Sequence, residues 1–264
     1  VANIGVMNAF SRKLGKIGGG GLLNQFPNKD QLDILTIADV PDDSLQFANL
    51  GSGPFFPDPT SDLFDDIVGD CDTLLTLTKQ QQLSKINKLD DALSNFSPTH
   101  DDTIPRHHNI ASLDIAARGA IKYLESNGFE TYYYPEYLTD KEARLAGKNS
   151  LTLFHRLKER HYNKPVAVVF TGEPLVTIKN KKGTGGRARE TALGSIVKSG
   201  LDFTPHLKFG GISFATDGDD GPNANGVSGA MFDQSTFFKA QNNNINPIEY
   251  LQKNKQEEYI LGPG

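Results

Sequence analysis

The apolar and polar positions follow two different patterns, and the change falls near residue 107. Ahead of it, Ile34-Leu35-Thr36-Ile37-Ala38 is a short β-branched run between polar segments. It predicts a buried strand, closed by Asp39-Val40-Pro41-Asp42-Asp43. A turn-rich stretch from Gly51 to Thr60 leads to a predicted helix from Ser61. Residues 74 to 103 read as polar and helical, with a loose apolar pattern at Leu83, Ile86, Leu89 and Leu93, and Ser97 to Pro105 is the candidate linker.

From His107 helix and strand patterns alternate. Ile110, Leu113, Ala117, Ala120, Ile121 and Leu124 recur at helical spacing, Gly128 stands at the stop, and Phe129 to Tyr134 follows as an aromatic strand. Asp140 is placed to cap a second helix reaching about Arg160. Val166 to Phe170 is a continuous apolar run of the kind buried on both faces of a parallel sheet. A short strand at Leu175 to Lys179, a helix opened by Gly183 to Gly186 and running through Val197, and a strand at Gly210 to Ala215 complete the series. The alternation predicts an α/β fold of layered, mostly parallel sheets with helices on both faces, and it puts the runs near 129–134, 166–170 and 210–215 in one sheet.

Composition narrows the function classes. With 264 residues, 37% of them hydrophobic and 22% charged, the chain can bury a core, which excludes a disordered segment and a small disulfide scaffold. A net charge of -5 argues against a surface built for nucleic-acid phosphates. Cys71 is the single cysteine and cannot close an intrachain disulfide, so a reducing, cytoplasmic setting is expected. The longest apolar runs are too short to span a bilayer, so no membrane partner is expected. Val1 opens in what reads as mid-domain sequence, and a piece of a longer chain is expected.

Four segments carry candidate chemistry. Gly183-Thr184-Gly185-Gly186-Arg187 places glycines directly before a helix start, where unpaired N–H groups and the helix dipole suit a phosphate or carboxylate, and Arg187 adds a clamp. The same segment satisfies G-x-G-x-x-A at 183, 185 and 188, with Asp202 downstream, which is the dinucleotide alternative. Its bland reading is a glycine-rich turn with surface arginines. Thr216-Asp217-Gly218-Asp219-Asp220-Gly221-Pro222 sets three carboxylates at a strand's carboxyl end, where ligands of open α/β sheets bind, and Asp217 and Asp220 are the candidate Mg²⁺ ligands. Asp39, at another strand end, is a candidate base or metal ligand, although a lone Asp there is more often a turn former. Asn8 to Gly21 couples Arg12, Lys13 and Lys16 to four glycines and reads as a flexible basic loop, while His155 and His161 are expected to be solvated.

Together these segments resemble the MOFRL-type, or class II, glycerate 2-kinases. Gly172-Glu173, Gly185-Gly186-Arg187-Ala188-Arg189-Glu190 and Thr216-Asp217-Gly218-Asp219-Asp220-Gly221-Pro222 match three of the family's motifs in order. Upstream, Ala38-Asp39-Val40-Pro41, Gly51-Ser52-Gly53-Pro54, Pro57-Asp58-Pro59-Thr60 and Glu142-Ala143-Arg144 match others. The family's N-terminal Gly-Lys and Ser-Gly-Gly-Gly-Ser segments have no counterpart, and its Arg-Asn-Gln-Glu run is Arg187-Ala188-Arg189-Glu190 here.

The resemblance implies two domains: residues 1–107 as an incomplete glycerate-kinase-like α/β domain with peripheral helices, and 108–264 as a MOFRL-type α/β domain. It implies transfer of phosphate from ATP to a hydroxyl of glycerate with Mg²⁺. Asp39 and Arg187 are then catalytic, Gly53, Glu173, Gly183, Gly185, Gly186 and Arg187 bind the nucleotide, and Asp217 and Asp220 hold the metal. The alternatives are an NAD(P)-dependent hydroxypyruvate reductase built on the 183–188 fingerprint, and a catalytically silent anion-binding remnant.

Overall fold

The computed structural model describes residue 12 and residues 16–38, 50–56, 105–179, 183–202, 206–222 and 226–253. Asp39, the predicted helix from Ser61 and the polar segment 74–103 lie outside these residues. The chain divides into two compact units, Val1–Ala111 and Ser112–Gly264.

In the first unit, β1 (Asp33–Ala38) and β2 (Arg106–Ser112) form a two-stranded sheet. Arg106 clamps Asp33 with Nε and Nη2 at 2.8 and 2.9 Å, and His108 Nε2 lies 3.0 Å from the same carboxylate. These partners, Arg106 first, hold the Asp33 carboxyl far below the usual range. Two expectations are corrected here. Ile110 belongs to β2, since Ser112 caps the following helix, and the strand at 34–38 is not buried throughout: Leu35 and Ile37 are exposed and only Ala38 is fully covered.

The second unit contains α1 (Leu113–Ser126), β3 (Glu130–Tyr134), α2 (Ala143–Arg160), β4 (Val166–Phe170), α3 (Arg187–Leu201), β5 (Gly210–Phe214), β6 (Gly229–Asp233), α4 (Thr236–Asn242) and α5 (Pro247–Gln252). Ser112 Oγ accepts the Ile115 N–H to start α1, and Gly128, at φ 83°, ends it in a conformation that favours glycine. β3 and β4 pair in parallel from Glu130↔Val166 to Tyr134↔Phe170, joined through α2, as a parallel pair requires.

The single sheet expected for 129–134, 166–170 and 210–215 does not form. β5 pairs antiparallel with β6 in a separate two-stranded sheet, because the nearby run Gly229–Asp233, not read as a strand, supplies its ladder partner. The expected strand at 175–179 is reduced to one isolated bridge, Leu175 to Glu142.

α3 is the buried spine of this unit. One side packs on α2 through small residues: a Cβ at Gly147 would overlap the Thr191 carbonyl, one at Gly194 would overlap the Arg144 carbonyl, and Ser195 Oγ donates to Gly147 O at 2.9 Å. The other side contributes Leu193, Ile196 and Val197 to a core completed by Phe237, Ala240 and Leu251. Asp233 fixes the entry to α4 by accepting from Ser235 N–H, Ser235 Oγ and Thr236 Oγ1, while Asn246 Oδ1 caps α5 ahead of Pro247. Among the described residues no helix is long and apolar enough to cross a membrane.

Candidate functional site

The segment 183–186 and the turn 217–222 are separate in sequence and packed against each other in space. Gly185 adopts φ 135° and donates its N–H to Pro222 O at 3.1 Å. A Cβ at Gly186 would collide with Asp220, and one at Gly221, itself at φ 69°, would lie 2.7 Å from Gly185 O. The glycines of both motifs therefore permit a backbone-to-backbone approach that any side chain would block.

Asp220 joins the two loops. Its carboxylate is buried and accepts the N–H groups of Ala188 and Arg189 at 2.8 Å each, capping α3. Arg189 is fully buried beside it, donating Nε to Asp220 Oδ2 at 3.0 Å and Nη2 to Asp220 O at 2.7 Å. The expectation for Asp220 as an open metal ligand is corrected, because both carboxylate oxygens are engaged by the helix start and by Arg189. The expectation that a phosphate takes the N–H groups at this helix opening is corrected for the same reason: the chain's own carboxylate occupies two of them.

Asp217 differs. It is exposed at the end of β5, and one carboxylate oxygen accepts the Asp219 N–H at 3.1 Å. Among the described residues no group of three or more His, Cys, Asp or Glu is arranged to hold a metal ion.

Arg187, the first residue of α3, is half exposed and reaches Glu173 Oε1 at 3.2 Å. This contact brings the Gly172-Glu173 motif to the helix opening. Gly172, at φ 125°, has no room for a Cβ against Thr139, and the backbone here is knitted to the turn after β3. Leu138 N–H donates to Thr171 O at 3.0 Å, Asp140 N–H to Glu173 O at 3.2 Å, and Glu173 N–H to Thr139 Oγ1 at 3.2 Å. Thr139 Oγ1 in turn donates to Glu136 Oε2 at 2.6 Å.

Asp140 is thus a turn residue at φ 59°, not the cap of α2, whose N-cap position is Glu142. Glu173, Gly183, Gly185, Gly186, Arg187, Asp217 and Asp220 all belong to the second unit, whereas Gly53 lies in the first. There Gly53 turns at φ 62°, and its carbonyl accepts the Gly20 N–H at 2.8 Å, which joins two glycine-rich stretches the sequence keeps apart.

Sequence reasoning missed Thr139, Glu136 and Tyr137. The signal that could have found them was a polar residue within a few positions of a predicted strand's carboxyl end. It also misplaced two histidines. His155 is half-buried between Phe154 and Phe209, its Nε2 has no hydrogen-bond partner among the described residues, and burial pushes its pKa down. His161 Nε2 lies 2.9 Å from the Tyr132 hydroxyl, and its Nδ1 is 3.2 Å from Glu130.

The G-x-G-x-x-A reading gains no support from the described residues. The dinucleotide fingerprint needs a strand running directly into the glycine turn, and among the described residues only an isolated bridge lies between β4 and α3.

The MOFRL family model matches residues 166–261, and the model of a domain of unknown function, DUF4147, matches residues 1–78. A glycerate 2-kinase of Pyrococcus horikoshii is 28% identical over 267 residues, covering 100% of this chain and 58% of that protein. A D-glycerate 2-kinase of Thermotoga maritima is 27% identical over 257 residues, covering 96% of this chain and 56% of that protein. The crystal structure of a glycerate kinase from Thermotoga maritima superposes with a TM-score of 0.76 at 24% identity, covering 98% of this chain and 58% of that one. A solved Pyrococcus horikoshii protein gives a TM-score of 0.69 at 26% identity, covering 98% and 57%. The chain spans a little over half the length of the curated relatives it matches. The ordered motifs, the α/β fold and these relatives point the same way: residues 166–261 match the MOFRL family, and over nearly its whole length the chain is similar to glycerate 2-kinases.

Proposed function

We propose that the protein transfers the γ-phosphoryl group of ATP to a hydroxyl of glycerate, forming 2- or 3-phosphoglycerate. In this reading residues 1–107 are part of a glycerate-kinase-like α/β domain, 108–264 are the MOFRL-type domain, and the protein works in the cytoplasm on small molecules. The observation that carries it is the joining of Arg187, Glu173 and the Asp217 turn around the opening of α3.

Phosphoryl transfer needs positioning and charge neutralisation more than covalent help from the protein. Arg187 suits both needs, since its guanidinium is exposed enough to grip a phosphate or the glycerate carboxylate and Glu173 holds it in place. Gly183, ahead of the docked Gly185 and Gly186, and Gly53 are assigned to the nucleotide on their motifs. Asp39 is assigned as the base that takes the attacking hydroxyl's proton, on its motif and strand-end position.

An exposed carboxylate together with nucleotide phosphate oxygens is a donor set that suits Mg²⁺, and Asp217 would hold the ion. The ion supplies neutralisation of the phosphate charge. The relatives' names support the kinase over the reductase.

Phosphorus NMR of the full chain incubated with D-glycerate, ATP and Mg²⁺ tests the reading. Equimolar ADP and phosphoglycerate are expected, with the product's shift separating the 2- from the 3-isomer. ADP without phosphoglycerate, or no turnover under any Mg²⁺ concentration, rejects it.

A further inference from the structure

Three aromatic rings meet at the carboxyl ends of the parallel strands. Tyr134 and Phe170 are the last register pair of β3 and β4, and their rings stack at 5.7 Å with planes 23° apart. Tyr137 stands edge-on to Tyr134 at 6.0 Å and lies 5.0 Å from Phe170. All three are half-buried, so the cluster is neither sealed into a core nor left loose in solvent. The Lys141 ammonium sits over the Tyr137 ring, 3.7 Å from its centroid, and also donates to the Tyr137 carbonyl.

The mount of Tyr137 is stiff. Glu136 and Asp140 bracket it at φ 53° and 59°, a region that non-glycine residues rarely adopt, and the turn is held there by Thr171 and Glu173. Glu173 is also the partner of Arg187, so one residue ties the aromatic turn to the cation at the α3 opening.

We propose that Tyr134, Tyr137 and Phe170 form the stacking platform for the purine base of the nucleotide, with Lys141 over one face of Tyr137. The proposal rests on the kinase reading and adds the base-recognition half of the same site. Ligands of parallel α/β sheets bind at this strand edge, and electron-rich rings on a rigid turn offer a face to any base without requiring hydrogen-bond readout. Lys141 covers one face of Tyr137, so the base is offered the remaining surface of the half-buried cluster, with a cation beside it that suits the phosphate following the base.

The experiment uses the full chain with 2-aminopurine riboside triphosphate. The chain has no tryptophan, so the probe is read without tryptophan fluorescence, and stacking quenches it. Wild type should quench the probe, Tyr137→Phe should retain the quenching, and Tyr137→Ala should lose it. ATP affinity, measured by calorimetry, should fall about tenfold in Tyr137→Ala while inorganic tripolyphosphate binds as before. Absent quenching in wild type, unchanged ATP affinity in Tyr137→Ala, or equal losses for ATP and tripolyphosphate overturns the platform. Quenching without any phosphorylation of glycerate upholds the platform and rejects the kinase reading. Phosphorylation that proceeds without a stacking signal does the reverse.

Discussion

Asp220 and Arg189 form a buried pair at the start of α3, with Arg189 Nε 3.0 Å from Asp220 Oδ2 and the same carboxylate capping the helix through two N–H groups at 2.8 Å. A helix start, a strand-exit turn and a fully buried guanidinium therefore depend on one side chain. Replacing Asp220 with Ala removes the carboxylate that pairs the buried guanidinium's Nε and two N–H groups, leaving the guanidinium only its bond to the residue-220 carbonyl, so stability should fall by about 3–5 kcal/mol. Urea unfolding of Asp220→Ala followed by circular dichroism measures it. A loss under about 1 kcal/mol would show that the cap is dispensable.

The α2–α3 crossing admits no side chain at Gly147 or Gly194. Gly147→Ala and Gly194→Ala each remove a glycine from a helix interior, which by propensity alone would stabilise. Overpacking against backbone carbonyls outweighs that gain, and each variant should lose about 1–3 kcal/mol. A raised thermal midpoint in either variant would contradict the close crossing.

Arg187→Ala should behave in the opposite way to Asp220→Ala. The Arg187–Glu173 pair is substantially exposed and contributes little to folding. The thermal midpoint should hardly move, while kcat/KM for glycerate phosphorylation should drop roughly 100-fold as a charge-stabilising group is lost. Steady-state kinetics beside calorimetry separates the two effects, and a wild-type rate would remove Arg187 from the mechanism.

Asp217→Asn should raise the Mg²⁺ concentration giving half-maximal rate, because a neutral amide is a poorer ligand for a hard cation. Folding should survive, since Asp217 is exposed and the bond it accepts is a local one, from the turn N–H of Asp219. A Mg²⁺ titration with an unchanged midpoint removes the metal role and leaves the kinase reading standing.

His155 should make stability depend on pH. Burial lowers its pKa in the fold below the value near 6.5 of the unfolded chain, so the unfolded state binds the extra proton. Stability is therefore unaffected well above pH 6.5 and declines as pH falls through 6.5 toward the folded pKa. Thermal midpoints measured from about pH 8 to about 5.5 should decrease in wild type and flatten in His155→Gln. Parallel curves would show that His155 gains its proton without penalty.

Elements whose signal is local were legible along the chain. The apolar run Val166–Phe170 is a strand over those same residues, and the helix ending near Arg160 ends there. Ordered glycine and carboxylate motifs were enough to show the resemblance, since glycines that allow close approach and strand-end acids leave a pattern that needs no knowledge of their partners.

Pairing and burial were decided only in three dimensions. Nothing in Gly210–Phe214 states that its partner is Gly229–Asp233 and not Val166–Phe170, because strand partners are chosen by long-range contacts. Apolar character alone did not fix depth, and Leu35, Ile37, Ile212 and Met231 are exposed. Asp217 and Asp220 are three residues apart and look equivalent on paper. The tertiary structure buries one against the N–H groups and guanidinium of α3 and leaves the other facing solvent, because only one of them comes within reach of the helix start.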